Sequence, residues 1–367
     1  AKISSPHYHA SAMDGFAVKA GSTSGALETA PVSLAYGSQT IYLDTGDPLP
    51  DWADAVIPIE NVEASNEDGS VAHDPRHPDL IRNKAGVSPW THVREMGEDM
   101  VATQLVLPQG HVLRPVDLGA AAGCGYSSLD VACPPKVAII PTGTELVYPG
   151  ESLKEGDIIE YNSIVLAAQV EEWGGKATRY PNTPDDFELI KSQVKKAAAD
   201  HDLVLLVAGS SAGSEDYSAL IVEELGDLLV HGIAVRPGHP VILGMITTGT
   251  RSIPIIGVPG YPVSAALTAE IFVEPLLGTW LGRPPQPRPE ISATITRKVN
   301  SPAGDDEYLR VAVAYLGDKA LAAPLSRGSG VITSLVRADG LVVIPRGIQG
   351  CLLYTSPSPR DRSAYRV

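Results

Sequence analysis

Apolar and polar positions divide the chain into three rhythms. In residues 1–132 the apolar residues fall in short runs between turn formers, which predicts small β elements at 32–36, 39–43, 55–62 and 110–113. One Ala- and Gly-rich helix is expected at 117–123. This part reads as an elongated region with a β module inserted over about 18–97. From Pro134 strands alternate with amphipathic helices. Strands are expected at 136–140, 176–180, 203–207, 228–235, 241–245 and 253–258, and helices at 162–173, after 183, from 217 and over 262–281. Thr183-Pro184-Asp185-Asp186 reads as a helix start, with Thr183 as N-cap, Pro184 at the first helical position and acids in the first turn. The unbroken apolar run 203–207 suits a strand buried on both faces. Such alternation predicts a doubly wound, mostly parallel sheet over 133–283, with ligands beyond the carboxyl ends of its strands. Beyond Pro284-Pro285, alternating runs at 291–295, 308–314, 319–323 and 341–344 predict a small C-terminal β barrel over 284–350. The fold class expected is multidomain, α/β plus β.

Charge narrows the partners. The net charge is −15 and no Lys/Arg cluster breaks it, which argues against nucleic acid and anionic membrane surfaces. No apolar run is long enough to span a bilayer. Cys124, Cys133 and Cys351 form neither a metal-ligand spacing nor a disulfide framework, so a reducing, cytoplasmic setting is expected.

The two ends stand apart from the rest. The chain opens at Ala1-Lys2-Ile3 without an initiator Met. Residues 351–361, Cys-Leu-Leu-Tyr-Thr-Ser-Pro-Ser-Pro-Arg-Asp, match the translation of transposase sequencing-library adapter DNA. Residues 351–367 are therefore expected to be read-through that packs little, and the natural protein is expected to extend at both ends.

Candidate chemistry gathers where predicted strands end. Residues 209–216 are small and polar, with Gly209, Ser211 and Gly213 placed so that backbone N–H groups approach an anion. Asp216 opens the following helix, either as a plain N-cap or as a carboxylate beside a bound phosphate. Two further loops, 142–145 and 258–264, end neighbouring strands of the same predicted sheet. Their convergence would bring Glu145 and Asp216 to one crevice with Asp185 nearby, a pattern suited to Mg²⁺ bridging a phosphate or oxyanion. Taken alone, Glu145 reads more simply as a solvated loop acid, and the first helical turn is a sufficient reason for Asp185; the convergence of the loops is what favours a site. Arg236-Pro237-Gly238-His239-Pro240 also ends a strand, and Arg236 offers a fork of donors to an oxyanion. His7, His9, His73 and His77 lack a third ligand nearby and are set aside as metal ligands.

Three N-terminal motifs then resemble one known family. They are Ser11-Ala12-Met13-Asp14-Gly15-Phe16-Ala17-Val18, Thr45-Gly46-Asp47-Pro48-Leu49-Pro50 and Arg94-Glu95-Met96-Gly97-Glu98-Asp99. Together with Thr142-Gly143-Thr144-Glu145-Leu146, the 209–217 loop, 236–240, Pro259-Gly260-Tyr261-Pro262-Val263-Ser264, 307–310 and Gly328-Ser329-Gly330, they are similar to the molybdopterin molybdenumtransferase family, which includes the E domain of gephyrin. The resemblance runs from about Ile3 to Gly350. It implies insertion of molybdate into adenylylated molybdopterin, with Mg²⁺-dependent release of AMP, in a cleft shared across a homodimer. It also implies residue roles. Asp14, Thr45 and Asp99 are the N-terminal contribution, and Glu145, Asp185 and Asp216 the central acids. Pro259 and Pro262 shape the dithiolene-side loop, and Arg310 and Ser329 help hold molybdate.

Two departures stand out. The family's loop usually starts Gly-Gly where this chain has Ala208-Gly209, and Lys is usual at one or both of the positions held by Arg236 and His239. The Ser-Ala-Gly-Ser-Glu-Asp-Tyr form of the loop also resembles a subgroup in which a periplasmic-binding-protein-like domain follows the β domain. Two other functions remain to be weighed, a gephyrin-type scaffold and the adenylyltransferase that shares the central fold. Tungstate could also replace molybdate.

Overall fold

The computed structural model describes residues 1–208, 217–283, 288–348 and the backbone of 350–351. Two compact units divide the chain, Ala1–Val131 and Ala132–Val367.

In the first unit, Gly15–Val18 is the central strand of an antiparallel trio, flanked by Ile41–Leu43 and Ala55–Pro58. All four of its residues are buried. Gly15 has to be glycine, because a Cβ there would lie 2.2 Å from the Ile57 carbonyl oxygen. A second trio, Val32–Ala35, Leu80–Asn83 and Val62–Ser65, contributes Leu34 and Ile81 to one core with Phe16, Val18 and Ile57. Tyr36 and Tyr42 close edge-on against Phe16. The helix runs Pro115–Gly123, and the stretch expected to be a strand at 110–113 is its approach. Asp117 overrides the β pattern there. Its carboxylate accepts the Arg114 backbone N–H (2.8 Å), two guanidinium contacts and the His111 ring (2.7 Å), which pins 111–114 to the first helical turn.

In the second unit a six-stranded sheet has the order Lys176–Arg179, Lys136–Pro141, Leu203–Val207, Arg251–Val258, Ile242–Thr248, Gly226–His231. The first four strands pair in parallel, and the last two join through antiparallel pairings. Alternate residues of each strand point to opposite faces. Ala138, Ile140, Val204 and Leu206 meet the helices Phe187–Asp200 and Tyr217–Leu225. On the other face Val137, Ile139, Leu203 and Leu205 meet Asn162–Glu172 and the helical run that starts at Pro262. Each fully buried Leu, Ile or Val is worth roughly 1.5–3 kcal/mol, so covering both faces explains the unbroken apolar run at 203–207.

Three expected boundaries move. The helix expected to open at Thr183 starts at Phe187, capped by Asp186, whose carboxylate accepts the Leu189 N–H at 2.9 Å. Thr183 instead prolongs the sheet edge, donating to Pro141 and accepting from Gly143. The run at 228–235 divides at Gly232, whose φ of +83° turns the chain. Its second part, Val235–Arg236, pairs with another sheet. The 262–281 helix carries a π turn at Ala269–Val273 just before Pro275. Proline has no N–H and its ring excludes the carbonyl four residues earlier, and a π turn relieves that conflict.

The C-terminal part is a mixed sheet around Asp306–Leu316, which pairs with Lys319–Pro324 and Gly340–Ile344. Thr294–Ile295 adds to the outer edge of Lys319–Pro324, and Val235–Arg236 lies parallel to Asp306 and Glu307. Its core is Ile295, Val299, Leu309, Val311, Ala322, Val342 and Ile344. No helix among the described residues is long and apolar enough to cross a membrane.

Candidate active site

Where the parallel strands end, their loops are tied to one another by short backbone bonds. Thr142 donates both its N–H (2.9 Å) and its hydroxyl (3.0 Å) to the Val207 carbonyl, and the Ala208 N–H donates to Val258 at 3.0 Å. A cavity of about 200 Å³ opens over these ends, lined by Pro141, Val207, Ala208, Glu160, Asn162 and Tyr261 among others. The cavity lies at the carboxyl edge of the sheet, and neither Glu145 nor Asp185 is among its lining residues. The 258–262 loop forms one wall. Pro259 is buried, and Pro262 stands in the first turn of the helix that follows. Asn162, at the start of its own helix, holds that loop by donating to the Gly260 carbonyl at 2.7 Å.

The acids separate into two environments. Gly143 has φ +149°, and a Cβ there would fall 2.9 Å from Glu145 Oε2 and 2.8 Å from Leu146 Cγ. The glycine thus lets the Glu145 carboxylate fold back over the turn. Asp185 meets the same loop through a reciprocal pair. Its carboxylate accepts the Thr144 N–H (3.3 Å) and its own N–H donates to the Thr144 hydroxyl (3.1 Å). That pairing places Asp185 in the turn before the helix. Glu160 is buried, accepting the N–H and hydroxyl of Ser163 at 2.7 and 2.6 Å, with Arg179 at 3.7 Å. Gly209, Ser211, Gly213 and Asp216 lie outside the described residues. Among the described residues no group of three or more His, Cys, Asp and Glu could hold a metal ion.

The basic loop faces the C-terminal sheet. Arg236 Nε donates to the Asp305 carboxylate, and His239 Nδ1 stands 4.0 Å from the same group. Arg310 is only 2% exposed, and its guanidinium is directed at the carbonyls of Tyr308, Ser326 and Gly328 and the hydroxyl of Ser334. Burial pushes its pKa down. Ser329 is half-buried and its carbonyl accepts the Val263 N–H at 3.0 Å. This occupies one of the donors that a helix start leaves without an intrahelical partner. Gly330 continues to the cavity wall, 3.6 Å from the Tyr261 ring when extended by a Cβ.

In the first unit the structure joins two of the three expected residues. Asp14 Oδ1 accepts the Thr45 hydroxyl (2.6 Å) and N–H (2.8 Å). These bonds, the hydroxyl first, hold the exposed carboxyl below the usual aspartate range. Gly46, at φ +95°, lets the 44–48 turn fold back so that its N–H reaches the Ser11 carbonyl. Asp99 is exposed on a separate loop, its N–H bonded to the Ser5 carbonyl at 3.0 Å.

Asn162, Glu160 and Asp305 were not marked by sequence reasoning. Asn162-Ser163 at the head of an apolar helix was a usable signal for the first. Asp305 sits in an ordinary Gly-Asp-Asp turn and carried none.

Comparison with known proteins agrees across all three parts of the chain up to residue 352. Residues 1–125 match the MoeA N-terminal region (domain I and II), 138–279 a probable molybdopterin binding domain, and 292–352 the MoeA C-terminal region (domain IV). Molybdopterin molybdenumtransferase 2 of Mycobacterium tuberculosis is 32% identical, over 95% of this chain and 87% of that protein. Molybdopterin molybdenumtransferase of Bacillus subtilis is 28% identical, over 94% and 81%. A crystal structure of the molybdopterin biosynthesis MoeA protein from Pyrococcus horikoshii is 33% identical, with a TM-score of 0.78 over 95% of this chain and 86% of that one. Sequence motifs, strand-end cavity and relatives thus agree, and the chain belongs to the molybdopterin molybdenumtransferase (MoeA) family.

Proposed function

We propose that this chain inserts molybdate into adenylylated molybdopterin with release of AMP, in molybdenum cofactor biosynthesis. The observation that carries the reading is the cavity at the ends of the parallel strands, walled by the 258–262 loop and Gly330. The relatives that match over nearly the whole chain are named molybdenumtransferases, which does not favour the adenylyltransferase or scaffold readings.

Within this reading Asp14, Glu145, Asp185 and Asp216 act as the reaction's acids, and Thr45, bonded to Asp14, takes part in substrate binding. Gly209, Ser211 and Gly213 supply donors to the phosphate. Pro259 and Pro262 fix the loop facing the dithiolene end. Asp99, Arg236, His239 and Ser329 bind the anionic substrates, with Arg310 serving the oxyanion end. Mg²⁺ takes one or two carboxylates and completes its shell with water and phosphate oxygens. A site with Glu145 and Asp216 as protein ligands therefore needs no larger acidic cluster, and bound Mg²⁺ would offset phosphate charge. The working form is a cytoplasmic homodimer in which Asp14 and the central acids serve one site.

The test is molybdate-dependent AMP release by the purified chain with adenylylated molybdopterin, with tungstate run in parallel. Release with either oxyanion supports the reading and ranks the metals. Release with neither, from a folded chain, overturns it. Mixing Asp14→Ala and Glu145→Ala chains tests the dimer. Partial recovery in verified heterodimers is expected, and none would mean that each chain works alone.

A further inference from the structure

Leu166 and Val170 of the helix Asn162–Glu172 share one buried cluster with Ala265 and Ala269 of the helical run from Pro262. Asn162 and Gln169 fall on the same stripe of that helix. Both are amides, and both donate across the contact to backbone. Asn162 Nδ2 reaches the Gly260 carbonyl at 2.7 Å, and Gln169 Nε2 reaches the Ala266 carbonyl at 3.3 Å. The two ties hold different things. Ala266 lies inside a helix, whereas Gly260 lies in the loop that walls the cavity. That loop is held at its start by the Ala208 N–H on the Val258 carbonyl and at its end by the Val263 N–H on the Ser329 carbonyl, both at 3.0 Å. Asn162 holds its middle, one residue before the exposed Tyr261, which lines the cavity with Asn162 and Gly330. Asn162 is itself fixed from behind. Glu160 accepts the Ser163 N–H and hydroxyl at 2.7 and 2.6 Å, and the Ser163 oxygen accepts Arg179 Nε at 2.8 Å, which clamps the first turn of the helix.

We propose that Asn162 is a positioning residue for the adenylylated molybdopterin that the cavity takes. Its amide pins the middle of the 258–262 loop, and so fixes the wall on which Tyr261 stands against the ends of the parallel strands. This rests on the function proposed above. Gln169 makes the same kind of bond away from the cavity and serves the packing of the two helices alone. The role needs a donor at this point. A carboxylate of the same shape only accepts when ionised and a leucine does neither, so neither can hold the Gly260 carbonyl.

The experiment compares Asn162→Leu, Asn162→Asp and Gln169→Met with wild type in the full chain, where circular dichroism shows each variant folded. Two readouts are taken: amide hydrogen exchange at Gly260 and Tyr261 without substrate, and the KM for adenylylated molybdopterin in molybdate-dependent AMP release. Both Asn162 variants are expected to speed that exchange about 10-fold and to raise KM about 5-fold or more, as one hydrogen bond is lost. Gln169→Met is expected to leave both readouts at wild type. An acid is favoured in the first turn of a helix, so Asn162→Asp carries the test if Asn162→Leu does not fold. Raised KM with unchanged exchange would overturn the inference in favour of direct contact between Asn162 and the substrate. Raised KM in a folded Asn162→Asp chain beside wild-type KM in Asn162→Leu would overturn it in favour of charge repulsion. Faster exchange with unchanged KM would reduce the bond to a structural tie, and Gln169→Met matching the Asn162 variants would assign the effect to helix packing; either result overturns the inference. In each of these cases wild-type release persists, so the inference fails alone. A wild-type chain without molybdate-dependent release overturns the proposed function and the inference together.

Discussion

Arg236 and Arg310 lie at the same small sheet, and family resemblance or strand-end placement marks both for an oxyanion, yet the structure treats them oppositely. Arg236 ends the Val235–Arg236 strand with its side chain 55% exposed and the Asp305 carboxylate as its partner. Arg310, on the neighbouring strand, is 2% exposed and bonded to carbonyls. An exposed ion pair is weak, worth about 0–1 kcal/mol, so Arg236 can exchange Asp305 for a substrate anion at small cost. Arg310 cannot leave without breaking its bonds to three carbonyls and the Ser334 hydroxyl. The same residue type thus provides a replaceable contact at one edge and a fixed strut one strand away.

The largest expected effect tests that contrast on stability. Arg310→Ala removes four hydrogen bonds and leaves a hole where a fully buried side chain stood. It is expected to cost about 2–4 kcal/mol in urea unfolding, against less than about 1 kcal/mol for Arg236→Ala. Equal losses would mean that Arg236 is also a strut.

Turnover should reverse the order of importance per unit of stability lost. Arg236→Ala is expected to lower AMP release at limiting substrate by about 10-fold to 100-fold, the range for a hydrogen bond to a charged group, with the unfolding midpoint nearly unmoved. Normal release would remove Arg236 from the site. A smaller effect of opposite sign is expected for Asp305→Asn. Freed from their shared carboxylate, Arg236 and His239 should bind tungstate about 2–5-fold more tightly in calorimetry, with the gain shrinking as salt screens the exposed pair. Weaker binding would make Asp305 a clamp that aims Arg236.

The same division explains what the sequence could reveal. Period and apolar runs located the central sheet, because burial on both faces leaves a mark on every residue from Leu203 to Val207. The Asp14–Thr45 pair was legible through its motifs, and the structure closes it with two bonds. Boundaries set by distant partners were not legible. Thr183-Pro184-Asp185 looks like a helix start, but Thr183 is drawn into the sheet edge by Pro141 and Gly143. Nothing local announces that Val235–Arg236 joins a sheet some 70 residues later, or that Asp305 meets Arg236 across it. The burial of Arg310 was equally hidden, since a motif position does not say whether a side chain stays exposed or is buried.

Two of the depressed carboxylates of the first unit, Asp117 and Asp14, repeat the contrast and give a pH test. Asp117 is buried, held well below the usual carboxylate range first by the Arg114 guanidinium, then by the Arg114 backbone N–H and the His111 ring. Its folded pKa lies below the unfolded one. Its contribution to stability is therefore complete above the unfolded aspartate value of about 3.9 and is lost as pH falls below it. Asp117→Asn should flatten the fall in melting temperature between about pH 5 and pH 2. Asp14→Asn should change that limb little, because an exposed carboxylate held by one threonine stabilises the fold only weakly.

The smallest expected effect belongs to Thr45. Its hydroxyl is the main reason that the Asp14 carboxyl sits below its ordinary value, with the Thr45 N–H second. Thr45→Val removes the hydroxyl and keeps the N–H, so the Asp14 pKa should rise part of the way back toward about 3.9. Asp14 is ionised at pH 7 in both forms. The acid limb of AMP release, normalised to its own plateau, should therefore move to higher pH, while the melting curve at pH 7 stays near wild type. A limb that does not move would mean that another acid governs it, leaving Asp14 as an exposed contact whose proton the reaction does not sense. A limb that moves together with a collapse in melting temperature would make the Asp14–Thr45 pair a strut of the 44–48 turn, the first unit's counterpart of Arg310.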